Sequence, residues 1–305
     1  MLLQTVRNLL RRRAPGVVRP LAVPVAERPP SLVPDADLSE NDDPTWPSAR
    51  ISVAEALWGE GYLFPGGEFE TMTLAKPLGL SAAASLLFLG VGSGGPARSV
   101  AKELGVWVSG FEANAHLAEV ATERGLRAGL GRRAQVEVWD PAKPKFSHHY
   151  YHHGMALEPL RGAKPEAMLA AVALALKPGG QLVLVELVAD SQLDPTDAVV
   201  ATWARLDHRP AVLPSELAMT RLLGRLGFDV RIVEDISRRH LQYAIDGWRT
   251  AVRGMQETRP SLRQVAVVVR EAELWLSRFR LMRAGKLRLV RWHAIGSGGV
   301  APPVS

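Results

Sequence analysis

The stretch Leu86–Glu112, LLFLGVGSGGPARSVAKELGVWVSGFE, constrains this chain more than any other. Four apolar residues, Leu86–Leu89, run directly into Gly90-Val91-Gly92-Ser93-Gly94-Gly95-Pro96. A helix-favouring segment (Ala97–Leu104), a β-rich run (Val106–Val108) and Gly110-Phe111-Glu112 follow. Strand, glycine turn, helix and a second strand ending on a carboxylate form the front half of a nucleotide-binding α/β unit. Glycine permits positive φ and close backbone approach to a ligand, and the start of the helix offers free N–H groups. Glu112, 22 residues after Gly90, is spaced to accept hydrogen bonds from two ribose hydroxyls. Because Gly90, Gly92 and Gly95 satisfy G-x-G-x-x-G, the turn alone suits a nicotinamide or flavin dinucleotide as well as S-adenosylmethionine.

A chain of 305 residues can bury a full core as one large α/β domain, or as a core with a cap. It contains no cysteine, which excludes disulfides, thiolate metal sites and a cysteine nucleophile. No apolar run reaches the ~18 residues that a membrane-spanning helix needs. The net charge of +6 is unevenly placed. Residues 1–26 carry five arginines and no acid, and residues 246–293 hold eleven Lys/Arg against four Asp/Glu. Either a solvated basic face or an anionic partner accounts for this. Nucleic acid is not expected, because no nucleic-acid-binding motif accompanies the basic residues. The expected location is the cytoplasm, with peripheral contact to a membrane surface through the N-terminus. Met1–Arg13 places Leu2, Val6, Leu9 and Leu10 on one helical face before Arg11-Arg12-Arg13. It reads as a frayed tail, a membrane-surface helix or a transit peptide.

Along the chain, residues 1–48 read as a basic, proline-rich extension, and 49–80 as a helical lid with helices over Val53–Trp58 and Phe69–Lys76 around the loop Gly59–Glu68. A core over 81–238 follows, with further strands at Gln135–Trp139, Ser147–His153, Gln181–Leu187 and Asp229–Glu234, and helices at Ala115–Arg124, Lys164–Leu176 and Glu216–Leu226. A helical insertion over 239–283, broken near Arg259-Pro260, forms a second lid segment. The terminal strand lies within 284–298, and 299–305 is a tail. Strands alternating with helices predict a mainly parallel sheet covered on both faces.

Two features resemble class I S-adenosylmethionine-dependent methyltransferases. One is Leu176-Lys177-Pro178-Gly179-Gly180 leading into a strand that ends at Glu186. The other is the closing order of Gly227-Phe228-Asp229-Val230, a helical insertion and a last strand. The segment Trp58–Glu68, WGEGYLFPGGE, is similar to the N-terminal part of phosphoethanolamine N-methyltransferases, and quinol methyltransferases share several of these marks. The resemblance implies a doubly wound, seven-stranded Rossmann-like α/β sheet with an antiparallel last strand and helical lid segments. It also implies S-adenosyl-L-methionine as cofactor. Gly90, Gly92 and Gly94, with Ser93 among them, would line its methionine and ribose. Glu112 would take the ribose hydroxyls, Asp140 would sit beside the adenine amino group, and Tyr62 would cover the transferred methyl or touch the substrate.

The chain departs from the family pattern at Phe88, where an acid is usual, and at Phe146-Ser147, where Phe-Asp is usual. The family's histidine after the fourth strand has no counterpart in Met155–Pro159, so His152 or His153 would stand in as base. Strand alternation sends His148 and His152 to one face and His149 and His153 to the other, so no metal site is expected. Arg209, after the fifth strand, and the basic residues near Lys286 and Arg291 are candidates for an anionic substrate group. The expected function is methyl transfer to a small-molecule or lipid-like acceptor, such as a phosphate-bearing amine. An NAD(P)-dependent oxidoreductase, or a non-catalytic methyltransferase-like partner to which Phe88 and Ser147 would point, are the alternatives.

Overall fold

The computed structural model describes residues 45–257 and 261–297. The basic extension up to residue 44, including the expected helix over Met1–Arg13, lies outside them, as do 298–305. Seven strands form one sheet: β1 (Ser85–Leu89), β2 (Trp107–Glu112), β3 (Ala134–Val138), β4 (Tyr151–Leu157), β5 (Leu176–Val188), β6 (Phe228–Asp235) and β7 (Arg288–Gly296). Their order is β3-β2-β1-β4-β5-β7-β6, parallel except where β7 runs antiparallel to β5 and β6. This is the α/β fold the sequence predicts.

Side-chain alternation sorts the core into two layers. In β1, Leu86 and Phe88 face one layer, and Leu87 and Leu89 the other. In β5, Val183, Val185 and Leu187 share the first layer, and Leu182 and Leu184 the second. Helices α3 (Gly95–Leu104) and α6 (Ala198–Asp207) contribute Val100 and Trp203 to the first layer. Helices α5 (Pro165–Ala175) and α7 (Glu216–Arg225) contribute Met168, Leu169 and Leu222 to the second. Helix α4 (Ala115–Arg127) follows β2. Phe88 is therefore a core residue and does not obstruct a ligand crevice.

The fourth strand differs from its expected span. It covers Tyr151–Leu157 rather than Ser147–His153, and His149 lies in a turn with φ 49°. A central strand must bury its side chains between two neighbours. Met155 and Ala156 pair with Phe88 and Leu89 on one side and with Val183 and Leu184 on the other, which the SHH segment is too polar to do. The residues expected to turn, 177–180, lie within the span of β5 as an irregularity of its ladder, because Leu176 already pairs with Tyr151 while Gln181 pairs with His153.

Three helices cover the C-terminal edge of the sheet: α1 (Ser48–Trp58), α8 (Ser237–Glu257) and α9 (Leu262–Arg283). Helix α2 (Gly67–Ala75) follows α1. Val53, Leu57, Trp58, Trp248 and Trp275 make a third apolar cluster, with the Trp58 and Trp275 rings edge-to-face at 5.2 Å. On α8, His240, Ala244, Trp248 and Ala251 recur at helical spacing and are all buried. Among the described residues no helix is long and apolar enough to cross a membrane.

Gly247 lets α8 lie directly on α1, since a Cβ there would run into the Trp58 ring and the Leu57 carbonyl. Gly247→Ala gains about 1 kcal/mol in helix propensity but overpacks this contact by roughly 1–3 kcal/mol. The expected net result is a lower urea midpoint. A raised midpoint would mean that the helices do not meet there.

Candidate active site

The crevice lies outside the carboxyl ends of β1, β2 and β4, where the strand order reverses and α/β sheets take ligands. Gly90 ends β1 with φ 74°, and a Cβ there would strike the Leu157 carbonyl at the end of β4. Only glycine passes. At the end of β2, the Glu112 carboxylate accepts from the Gly92 N–H at 2.8 Å and from the Asn114 N–H at 3.2 Å. Burial pushes its pKa above the ordinary carboxylate value. Both Gly92 and Glu112 border a cavity of about 160 Å³ that Trp58, Phe64, His240 and Trp275 also line.

The helix start beyond the turn is not open to a ligand, contrary to the sequence expectation. The Gly94 N–H bonds the Val91 carbonyl at 3.0 Å, and the Gly95 N–H bonds the Gly61 carbonyl at 2.9 Å. The loop over Gly61 and Tyr62 packs so tightly on Gly95 that even a methyl group would collide with the Gly61 carbonyl. Anion binding at a helix N-terminus needs free N–H groups aimed at the ligand, and these two already have partners. The Ser93 hydroxyl donates to Glu55 at 3.0 Å, and Glu55 pairs with Arg124.

Of the expected cofactor residues, the structure brings together Gly90, Gly92 and Glu112. Ser93 and Gly94 shape the turn without bordering the cavity. Asp140 is exposed and accepts from the Ala142 N–H at 2.9 Å in its own turn. Its neighbour Trp139 borders the cavity instead, with its Nε1 lacking a hydrogen-bond partner.

The expected catalytic residues are not brought to the crevice. Tyr62 is buried with its hydroxyl on Ser99, and burial pushes its pKa up, so it pins the loop to α3. Leu63 and Phe64, next in sequence, border the cavity. His152 and His153 sit early in β4, at the opposite edge of the sheet from Gly90. His152 Nδ1 accepts from the Ser85 N–H at 3.0 Å, and its Nε2 lies 2.9 Å from the Lys177 amine. The shift of the strand by four residues is the physical reason.

Arg209 is 5% exposed and sits among three carboxylates. It meets Glu186 at 2.9 Å and Asp207 at 3.2 Å, and it also pairs with Glu158. It is therefore no free anion receptor. Lys286 and Arg291 are likewise paired, with Asp197 at 2.7 Å and Glu234 at 3.1 Å. Burial alone would raise the Glu158 pKa, but the guanidiniums of Arg278, Arg209 and Arg161 hold it well below the ordinary value.

Sequence reasoning missed Glu158, His240, Trp275 and Arg278, all of which border the cavity. For His240 and Trp275 the signal was the helical spacing of apolar neighbours. For Glu158 there was none. Arg209→Met is expected to lose roughly 3–5 kcal/mol of stability in urea unfolding, because Glu158, Glu186 and Asp207 would keep their burial without their shared cation. An unchanged midpoint would contradict the arrangement.

No family model matches the chain. Phosphoethanolamine N-methyltransferase 2 of Caenorhabditis elegans is 27% identical over 145 residues, covering 47% of this chain and 33% of that enzyme. Methyltransferase GfsG of Streptomyces halstedii is 27% identical over 186 residues, covering 57% of this chain and 63% of that protein. Haemonchus contortus phosphoethanolamine N-methyltransferase 2, solved with phosphomonomethylethanolamine and S-adenosylhomocysteine, superposes with a TM-score of 0.70 at 20% identity. That match covers 81% of this chain and 56% of the enzyme. The chain thus spans less than two thirds of each of these proteins. Its fold is the one found in class I S-adenosylmethionine-dependent methyltransferases, as the sequence resemblance implies. Within that class, phosphoethanolamine N-methyltransferases are among the proteins it is similar to.

Proposed function

We propose that this protein is an S-adenosylmethionine-dependent methyltransferase acting on a small-molecule or lipid-like acceptor. The observation that carries the reading is the Glu112 carboxylate, bonded to the Gly92 N–H beside a glycine bend that no side chain could enter. Gly90 and Gly92 would hold the methionine end of the cofactor, Glu112 its ribose hydroxyls, and Trp139 its adenine edge. When bound, the cofactor supplies an electrophilic methyl on a sulfonium. The chain's own residues orient the acceptor and exclude water under the lid. The partnered N–H groups at the start of α3 disfavour a dinucleotide, whose pyrophosphate would need them. The relatives' names favour a phosphate-bearing amine. However, Arg50, Arg161 and Arg278 in the crevice are each held by a carboxylate, which favours an acceptor without phosphate. For a lipid-like acceptor, the basic segment Met1–Arg13 is the proposed membrane contact.

Calorimetry and thermal scanning test the reading. S-adenosylhomocysteine is expected to bind and raise the Tm, and NADH is not. Glu112→Ala should weaken S-adenosylhomocysteine binding by about 10- to 100-fold, the value of a hydrogen bond to a charged group. Affinity should also fall on acidification through a window above pH 4.5, where the raised pKa lets Glu112 take a proton. Stabilisation by NADH alone would reverse the assignment.

A further inference from the structure

Two polar atoms in the lid wall of the crevice are buried without a hydrogen-bond partner. His240, on α8, is 6% exposed, and its Nε2 has none. Arg278, on α9, is 4% exposed; one terminal nitrogen bonds Glu158, but its Nε–H is unpartnered. Both residues border the same cavity and flank the same ring. The Arg278 guanidinium lies 5.2 Å from the Trp275 ring centroid, and the His240 ring centroid lies 5.6 Å from it. Buried polar groups are almost always satisfied. Two exceptions beside one aromatic face point to a ligand that completes them.

The chemistry of the two atoms narrows that ligand. Burial, and then the Arg278 charge, push the His240 pKa down to about 3, so the imidazole is neutral at physiological pH and can offer a lone pair. Arg278 Nε–H can only donate. A hydroxyl oxygen satisfies both, donating its hydrogen to one and accepting from the other. An ammonium cannot accept from Arg278 and is repelled by it. An anion would find Arg50, Arg161 and Arg278 of the same cavity already paired with Glu271, Asp207 and Glu158. The Trp275 face, with Trp58 edge-on to it, suits a flat apolar body.

We propose that His240, Arg278 and Trp275 form the acceptor subsite, and that it recognises an uncharged hydroxyl on a flat apolar body, of the phenol or enol type. This rests on the methyltransferase reading for its role as acceptor site, but not for the binding itself. His240 Nε2 holds the hydroxyl proton, and Arg278 Nε–H fixes the oxygen.

The test is titration of the full chain with phenol and with anisole at millimolar concentration, with and without S-adenosylhomocysteine. In parallel, ¹⁵N resonances of the labelled histidines are followed. Phenol is expected to bind about tenfold more tightly than anisole, the value of one hydrogen bond, and to shift the His240 Nε2 resonance. His240→Phe should lower phenol affinity by the same factor while leaving S-adenosylhomocysteine binding within about twofold. Equal binding of phenol and anisole, no phenol binding, or an unmoved His240 resonance would overturn the subsite, and none of these readouts needs the variant to fold. Tighter binding of inorganic phosphate than of phenol would overturn it too. Failure of S-adenosylhomocysteine to bind would sink the methyltransferase reading alone, since the phenol–anisole difference still decides the subsite.

Discussion

One guanidinium, that of Arg209, ties together the buried carboxylates beside the crevice. It pairs with Glu158 at the end of β4, with Glu186 on β5 and with Asp207 at the end of α6. Glu158 in turn reaches Arg278 on α9, so the lid and the sheet share one charge cluster. Glu158 adopts φ 46°, a left-handed conformation that costs a non-glycine residue on the order of 1–2 kcal/mol. Such strain persists only where the surroundings over-determine it, and three arginines do so. Buried ion pairs add little net stability over apolar packing of similar volume. The contribution of this cluster is geometric: it fixes where α9 sits, and therefore where the lid wall meets the cavity.

The glycine turn shows how one sequence pattern serves two chemistries. G-x-G-x-x-G before a helix fits a pyrophosphate when the helix start is open. In this chain the Gly61 carbonyl covers Gly95, and Tyr62 locks that loop through Ser99. What remains exposed is the side of the bend that faces Glu112, which suits a ribose and a sulfonium side chain. In the proposed reading the choice between ligands falls to the loop around Gly61 and Tyr62, some thirty residues before the turn.

The polar pattern of the crevice extends this. Its carboxylates and arginines pair with one another, leaving aromatic faces and the unsatisfied nitrogens of His240, Arg278 and Trp139 as the groups available to ligands. A site of this kind selects by shape and one hydrogen-bonded atom rather than by net charge, and a substrate lacking that atom leaves buried groups unpaired.

The sequence by itself determined the sheet, because alternation and glycine punctuation are local signals set by backbone geometry. It also placed Glu112 at the strand tip beside the glycine turn, because the two strands and the turn between them are readable, whereas the bond from the Gly92 N–H to its carboxylate came from the structure. The closing pair of strands followed from the family resemblance carried by Gly227–Val230, the helical insertion and the last strand. Only the tertiary structure decided the start of β4, since burial between β1 and β5 outweighs the β propensity of the two tyrosines. That shift carried His152 and His153 to the far edge of the sheet. The fate of Arg209, and the meeting of His240, Trp275 and Arg278 from two helices, were decided the same way. A charged side chain's partner lies anywhere in the chain, and no local period records it.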